Sequence, residues 1–519
     1  MRIKQTAGSV PDESRASFKS AARSRVACAI AAVFDVRREF RIQKWGFRFM
    51  WRMTKRPFSI SALTLLLCYF ASSAVAAVTT HTGTLPDGAT FLIEVPSPWN
   101  GTLLLYSHGY VIPGSPNPAQ DVGDPATGTF LLSNGFALAG SSYAHTGWAI
   151  QEALLDQIAV LDTFAALVGT PSRTIAWGHS LGGIITAGLV QRFPDRFDAA
   201  LPMCGVLSGG VGTWNQALDS VFAFKTLLAS GTSLQLVNIT DPNTNLALAE
   251  GLLASAQATP QGKARFALSA ALGDTPGWFD PASPEPAPKD FASREANQFL
   301  WASEVDFPFV FALRAELEFR AGGNPSWNTG VDYRKQLNRS VDREEVRALY
   351  QQAGLSLDAD LDALKDAARI TANPDSVDYL EQNIIFNGRL NFPVLTLHTT
   401  GDGLVSNQNE SAYKDVVDEA GNQSLLRRTF VHRAGHCTFT PAETVTALQN
   451  LIERLNDGRW PDLDPSTLNA EAAALGALNV APPSFLRFKP APFLRPFDAS
   501  DEHHCDHEHH DSGLCSGEF

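Results

Sequence analysis

The serine best placed to do chemistry in this chain is Ser180, at the centre of a Gly-x-Ser-x-Gly pattern at residues 178–182. The pattern by itself occurs by chance in many proteins, so its position carries the inference. It follows an apolar segment at 173–177, which we predict to be a strand, and precedes a helical segment at 181–192. A serine at such a turn projects its hydroxyl from the edge of a sheet, and the flanking glycines permit the tight backbone. The sequence therefore predicts a nucleophilic serine.

A serine hydroxyl needs a base to take its proton and an acid to orient that base. With this strand-serine-helix arrangement the chain resembles the α/β-hydrolase superfamily, in which the acid and then the histidine follow the serine. Two residues match that order. Asp402 lies in a Gly-Asp-Gly turn after the predicted strand 392–398, and His436 follows the predicted strand 425–432. The resemblance implies that Ser180 is the nucleophile, Asp402 the orienting acid and His436 the general base.

The remaining candidates for acid and base fit less well. Some members of the superfamily take the acid from the strand before, but residues 201–208 contain none. Four other histidines lie within predicted strands, beside the serine or ahead of it in the chain. They are His398, His432, His179 and His145. Two structural alternatives stay open: Asp402 could cap its own turn, and His436 could be a surface histidine.

The resemblance also implies an oxyanion hole made of two backbone amides. One belongs to the residue after the nucleophile, Leu181, and the other follows an earlier strand. Here that earlier strand is predicted at 102–106, which makes Tyr110 the second donor. His108 is expected to brace the same loop.

Short apolar strands alternate with amphipathic helices on both sides of these residues. Between residues 148 and 168 the apolar residues recur every three or four positions, which predicts a helix with one buried face. Residues 440–443 read Thr-Pro-Ala-Glu, a capping box that predicts a helix start. Further strands are predicted at 91–95, 102–106 and 136–141. The alternation is typical of an α/β fold with a mainly parallel central sheet and helices on both faces, as the α/β-hydrolase resemblance implies.

A long helical stretch separates the serine from the acid. We predict an α/β-hydrolase core at 78–204 and 390–458, interrupted at 205–389 by a large helical lid insertion, with a C-terminal extension at 459–519. Six aromatic residues concentrate in one part of the insertion: Phe299, Trp301, Phe307, Phe309, Phe311 and Trp327. They are expected to form the core of the lid, and the alternative is that some of them line an apolar acyl or aryl pocket.

Charge is distributed unevenly along the 519 residues. Residues 1–77 contain 14 of the 41 Lys and Arg residues but only 4 of the 54 Asp and Glu residues. The remainder is therefore strongly acidic, which argues against nucleic-acid binding. Residues 53–77 combine a basic start, a short apolar run and an Ala-x-Ala ending, which predicts a signal peptide and a secreted or periplasmic protein without a stable membrane anchor. We interpret residues 1–52 as a mis-called N-terminal extension.

Four cysteines follow the predicted cleavage site, and an even number in an exported protein predicts disulfides. Of the three pairings, we favour Cys204 with Cys437, because both follow strand ends at the predicted catalytic edge, and Cys505 with Cys515. The acidic, histidine-rich tail at 503–511 lacks the spacing of a structural zinc site. We predict no metal and no cofactor in catalysis.

These residues together predict an exported serine hydrolase that cleaves a small-molecule or oligomeric carboxylic ester through an acyl-enzyme. A secreted peptidase of the prolyl-aminopeptidase or prolyl-oligopeptidase type would use the same triad, and this alternative stays open. Such an aminopeptidase would need acidic side chains for a free amine, and the insertion offers Glu304, Asp306, Glu316 and Glu318. A third hypothesis is a catalytically silent binding protein on the same scaffold.

Overall fold

The computed structural model describes residues 77–497. Its strands form one sheet in the order β1-β2-β4-β3-β5-β6-β7-β8-β9. The strands are β1 Ala77–Thr84, β2 Thr90–Ser97, β3 Thr102–Ser107, β4 Ala137–Ser141, β5 Arg173–His179, β6 Ala199–Met203, β7 Val394–Gly401, β8 Leu426–Ala434 and β9 Phe485–Leu486. Six neighbouring strands in the middle of the sheet, β4-β3-β5-β6-β7-β8, pair in parallel. The strands β1 and β2 at one end and β9 at the other pair antiparallel. The predicted mainly parallel sheet is confirmed.

Helices cover both faces of the sheet, so the central strands are continuously apolar rather than alternating. Every residue of β3, β4 and β6 is buried. The helices are α1 Pro125–Ser133, α2 Ile150–Leu167, α3 Leu181–Arg192, α4 Gly209–Leu228, α5 Pro242–Gln257, α6 Pro260–Leu272, α7 Phe291–Trp301, α8 Arg314–Arg320, α9 Tyr333–Arg339, α10 Arg343–Ala353, α11 Leu357–Asp366, α12 Pro374–Gln382, α13 Asn409–Glu419, α14 Pro441–Asp457 and α15 Pro465–Ala474.

The capping box predicted at the start of α14 is present. The Thr440 side chain accepts from the Glu443 amide at 3.1 Å, and the Glu443 carboxylate accepts from the Thr440 amide at 2.8 Å. Two of the amides at the helix start are thereby satisfied. The helix start is fixed four residues after His436, at the end of the loop that carries this histidine.

Helices α4 to α12 lie between β6 and β7 and form the insertion, residues 205–389. They enclose an apolar core of their own, in which Phe307 and Phe311 are buried. Two short π-helical segments, Ala302–Asp306 and Phe309–Leu313, replace regular helix between α7 and α8. Part of the predicted aromatic cluster is thus core of the insertion, as expected.

Some elements differ from the sequence-based expectation. The edge strands β1 and β9 and helix α15 were not predicted, and β7 begins after Pro393, two residues later than expected, and continues to Gly401. Two β-branched threonines, Thr399 and Thr400, extend that strand, and Thr399 and Gly401 pair with Val431 and Ala434 of β8.

Several expectations concern residues outside the described range. These are the extension 1–52, the signal peptide up to residue 76, the Cys505–Cys515 pair and the histidine-rich tail. Within residues 77–497, the helices are either too short or too polar to cross a bilayer.

Candidate active site

Ser180 sits on a strained turn between β5 and α3. Its backbone angles, φ 59° and ψ −122°, are rarely adopted by residues other than glycine. The turn is held by a hydrogen bond from the Ser180 amide to the Met203 carbonyl at 3.0 Å. A Cβ atom at Gly178 or Gly182 would overlap the Ser107 carbonyl oxygen, so only glycine fits at these two positions. The predicted strand-turn-helix geometry is confirmed.

The loop after β3 passes directly beside this serine. A Cβ atom added to Gly109 would lie 3.4 Å from the Ser180 Cβ. His108 is buried, with its ring nitrogens 2.7 Å from the Gly109 carbonyl and 3.1 Å from the Ser142 carbonyl, and its ring stacks on Tyr143. Burial lowers the pKa of His108, which suits a structural role in the loop.

The two amides predicted for the oxyanion hole are those of Tyr110 and Leu181. Tyr110 follows Gly109 in the loop beside Ser180, and Leu181 opens α3. Neither amide donates to a protein acceptor within the described part of the chain. Both are therefore available to an oxygen of a bound substrate.

Asp402 and His436 meet where β7 and β8 end. The His436 Nδ1 lies 2.7 Å from the Asp402 Oδ2, and the Val405 amide donates to the other carboxylate oxygen at 3.0 Å. Asp402 is fully buried, and burial alone would raise the pKa of its carboxyl. The neighbouring His436 and His398 outweigh that effect and hold the pKa below its ordinary value, so Asp402 stays ionised.

A disulfide connects the loop of His436 to the end of β6, which is hydrogen-bonded to the serine turn. Cys437, next to His436, forms a disulfide with Cys204, which follows the Met203 carbonyl that holds Ser180. The predicted Cys204–Cys437 pairing is confirmed. Both cysteines have positive φ values, 43° and 56°. The cross-link ties the His436 loop to the end of β6, the strand that also holds the serine turn.

Ser180 and His436 are not hydrogen-bonded to each other. The Ser180 Oγ has no hydrogen-bond partner among the described residues, and the His436 Nε2 lies 3.3 Å from the Cys437 Sγ. Catalytic hydrogen bonds of this kind are often long in the resting enzyme and tighten in the Michaelis complex. Burial lowers the pKa of His179, the residue that precedes the serine, to about 4.

The other histidines considered as bases have different partners. The Nδ1 of His179 is hydrogen-bonded to the Tyr106 hydroxyl at 3.1 Å. His432 is half exposed, and its Nε2 lies 2.8 Å from a carboxylate oxygen of Glu285. His398 is completely buried 3.5 Å from the Asp402 Oδ2. The second partner of His398 is Glu410 on α13. The sequence did not predict this contact, because nothing in the residues around Glu410 indicates that the helix packs against β7.

The end of α7 and the second π-helical segment of the insertion lie against the loops that carry Asp402 and Tyr110. The Trp301 ring fills the space where a Cβ of Gly403 would be, next to Asp402. The Phe309 ring packs edge-on against Tyr110 with centroids 5.2 Å apart. Burial and the charge of Asp402 raise the pKa of Asp306, which lies between these two aromatic residues in the sequence.

One group of potential metal ligands occurs within the described residues: Cys204, Cys437 and His436. The two sulfur atoms are joined in the disulfide. They cannot coordinate as thiolates, so a single imidazole nitrogen remains, and this group supports no metal site.

Comparison with known proteins identifies the family of the chain. A model of the prolyl oligopeptidase family matches residues 137–210, which include β5, Ser180 and α3. The chain is also 30% identical over 429 residues to an o-phthalyl amidase of Xanthobacter agilis, a match that covers 77% of this chain and 92% of the amidase. The chain belongs to the family of this amidase. It is a serine hydrolase with the α/β-hydrolase fold.

Solved structures are similar at a lower level. Feruloyl esterase B from Aspergillus oryzae is 14% identical with a TM-score of 0.38, over 74% of this chain and 82% of the esterase. The acylaminoacyl peptidase of Pyrococcus horikoshii is 10% identical with a TM-score of 0.36, over 77% of this chain and 45% of the peptidase.

Proposed function

We propose that this serine hydrolase cleaves carboxylic esters through an acyl-enzyme intermediate formed on Ser180. The observation that carries the proposal is the 2.7 Å contact between His436 and a fully buried Asp402. This pair lies at the same end of the parallel strands as the strained turn of Ser180. The three side chains have the roles of nucleophile, base and orienting acid.

The proposed reaction begins when the Ser180 Oγ attacks the carbonyl carbon of the substrate while the His436 Nε2 takes the hydroxyl proton. The Asp402 carboxylate accepts from the Nδ1 and stabilises the imidazolium that forms. His436 then gives the proton to the leaving oxygen as the acyl bond breaks. Water, deprotonated by the same imidazole, releases the acid and restores the Ser180 hydroxyl.

In this proposal the negative charge of the tetrahedral intermediate is held by the amides of Tyr110 and Leu181. Support comes from their free donors and from the closeness of Gly109 to Ser180. Each such donor typically contributes about 2.7–4 kcal/mol of transition-state stabilisation. Donors on the backbone are fixed before the substrate arrives, so no reorganisation is needed during reaction.

Amide cleavage by the same triad is a second candidate, favoured by the relationship to the Xanthobacter agilis amidase. The peptidase alternative has less support. Glu316 and Glu318, two of the acids that could bind a free amine, are in ion pairs with Arg320 and Arg314, each at 2.9 Å. These pairs leave the two carboxylates unavailable to a substrate amine.

We further propose that the insertion acts as a lid and that the enzyme is exported. Support for the lid comes from the contacts of Trp301 with Gly403, next to Asp402, and of Phe309 with Tyr110. The Cys204–Cys437 disulfide suits an oxidising compartment.

The test compares a p-nitrophenyl ester and a p-nitroanilide that share one acyl group. We expect the wild-type enzyme to hydrolyse the ester with the higher kcat/KM, and Ser180→Ala to lower kcat about a million-fold on both. Ser133→Ala, an exposed serine of α1, serves as the matched control. A faster anilide reaction would favour the amidase candidate, and an active Ser180→Ala variant would refute the proposed mechanism.

A further inference from the structure

A second histidine-carboxylate pair lies directly behind Asp402. His398, on β7, has its Nε2 3.5 Å from the Asp402 Oδ2, the same oxygen that contacts His436. Its Nδ1 lies 3.1 Å from the Glu410 Oε1, on α13. His398, Glu410 and Asp402 all have side chains with no exposure to solvent.

The surroundings of Glu410 fix it as an acceptor. Its second carboxylate oxygen accepts from the Thr396 hydroxyl at 2.6 Å, and Arg428 donates to its backbone carbonyl at 3.0 Å. The Thr396 hydroxyl and the His398 ring are thus the two partners of this buried carboxylate. Since a buried charge is costly without a partner, Glu410 needs a cation, and the ring of His398 is placed to be one.

Both ring nitrogens of His398 face oxygen acceptors. The Nε2 lies 2.9 Å from the Val405 carbonyl, which can only accept, and the Nδ1 faces the Glu410 carboxylate. An imidazole that donates from both nitrogens is protonated. Burial alone would lower the pKa of His398, but Asp402 and Glu410 outweigh it and raise the pKa to about 10.

We propose that His398 is a positioning residue, which as an imidazolium bound to Glu410 holds Asp402 ionised and oriented toward His436. The inference rests on the proposed function, in which Asp402 and His436 are catalytic. It extends the triad by a buried ion pair whose members never touch the substrate.

The charge balance explains why such a pair is useful. An ionised Asp402 without His398 would depend on His436 alone for a counter-charge, and His436 must be neutral to act as a base. His398 supplies a positive charge that stays in place while His436 gains and loses its proton. The titratable groups next to His398 and Glu410 are Asp402, which also contacts His436, and Tyr413, whose pKa is raised by burial and then by Glu410. Arg428 donates to the backbone carbonyl of Glu410.

The direct test is nitrogen-15 NMR of histidine-labelled wild-type protein. We expect one imidazole to carry protons on both nitrogens at pH 8, where an ordinary histidine is neutral. Its assignment follows from its loss in His398→Gln or its shift in Glu410→Gln. A His398 signal with one protonated nitrogen at pH 8 would overturn the proposal, and this measurement requires no activity.

Kinetics test the positioning role. For His398→Gln we expect kcat to fall about 10- to 100-fold with KM changed less than about three-fold. Removing the hydrogen-bond partner that orients a functional histidine in a metal site has an effect of this size. His432→Gln is the matched control, because His432, on the neighbouring strand β8, pairs with Glu285 of the insertion but is half exposed. Folded His398→Gln protein with wild-type kcat would overturn the positioning role. If this variant does not fold, Glu410→Gln takes its place with the same expectation.

The pH profile separates positioning from general support of the fold. Because the pKa of His398 is raised, its charge is present below pH 10 and is lost above it. Wild-type kcat should therefore fall above about pH 10 toward the level of His398→Gln, which should stay flat over that range. The same alkaline limb in both proteins would contradict the inference. Loss of Ser180 labelling by a fluorophosphonate in the wild type would instead indicate failure of the proposed function.

Discussion

Buried carboxylates are used differently in the insertion and at the edge of the hydrolase core. Two buried carboxylates of the insertion pair with arginine: Glu318 with Arg314 at 2.9 Å and Asp360 with Arg265 at 2.7 Å. At the core edge, Asp402 pairs with histidine, at 2.7 Å from His436. These three acids would be costly to bury alone, and they differ in the residue that compensates the charge.

The difference matters because arginine keeps its proton at any physiological pH, whereas histidine exchanges one near neutrality. An arginine-carboxylate pair is therefore fixed in charge and can serve only structure or binding. A histidine-carboxylate pair can accept and release a proton. Of these three pairs, only the Asp402–His436 pair suits proton transfer, whereas the two arginine pairs of the insertion are fixed in charge.

The largest effect is expected from a substitution that disrupts the Asp402–His436 pair. Asp402→Asn should lower kcat about ten-thousand-fold, because an amide cannot select the tautomer of His436 that acts as a base. Asp360→Asn is the arginine-paired control and should leave kcat within a few-fold. Steady-state kinetics on one activated ester measure both. A loss below about ten-fold for Asp402→Asn would remove Asp402 from the mechanism.

The next largest effect is expected from a substitution that disrupts the Arg314–Glu318 pair. Arg314 is fully buried, donates to Glu318 and Asn324, and lies over the Trp214 ring. Arg314→Met would leave the Glu318 carboxylate without its cation, at a cost of about 3–5 kcal/mol in the free energy of unfolding. Urea unfolding measures it, with Arg334→Met as an exposed control expected to cost under about 1 kcal/mol. Equal losses in the two variants would contradict the account.

A smaller effect concerns the covalent brace of the histidine pair. Replacing Cys204 and Cys437 together by serine frees the loop of His436 from the end of β6, and misplacement on the order of 1 Å can cost up to about a hundred-fold in rate. We expect kcat to fall about ten-fold or more. Complete reduction of the wild-type disulfide, verified by thiol labelling, should have the same effect, and unchanged turnover would count against it.

The smallest expected effect concerns the lid role that we propose for the insertion. Phe309→Ala removes the ring that packs on Tyr110 and should raise KM for esters with aromatic acyl groups about five-fold, with kcat little changed. Phe319→Ala, at an 89% exposed position on α8, is the control. If KM moves equally in both variants, Phe309 does not line the substrate site.

The sequence allowed prediction of the parts whose signals are local. Ser180 with its glycines, the turn of Asp402 and the capping box after His436 each depend on a few adjacent residues. The parts that were missed depend on distant contacts. Glu410 reaches His398 because α13 packs on the sheet, and Trp301 meets Gly403 only through the fold of the insertion. The edge strands β1 and β9 were missed because one is rich in threonine with few apolar residues and the other has only two residues.

The most direct test of the account is mass spectrometry of the protein after reaction with a fluorophosphonate, which forms a stable adduct with an activated serine. We expect close to one adduct per chain, on the peptide that contains Ser180, and its loss in folded His436→Ala protein. Folded wild-type protein without an adduct, or with the adduct on another serine, would contradict the claim that Ser180 is the nucleophile.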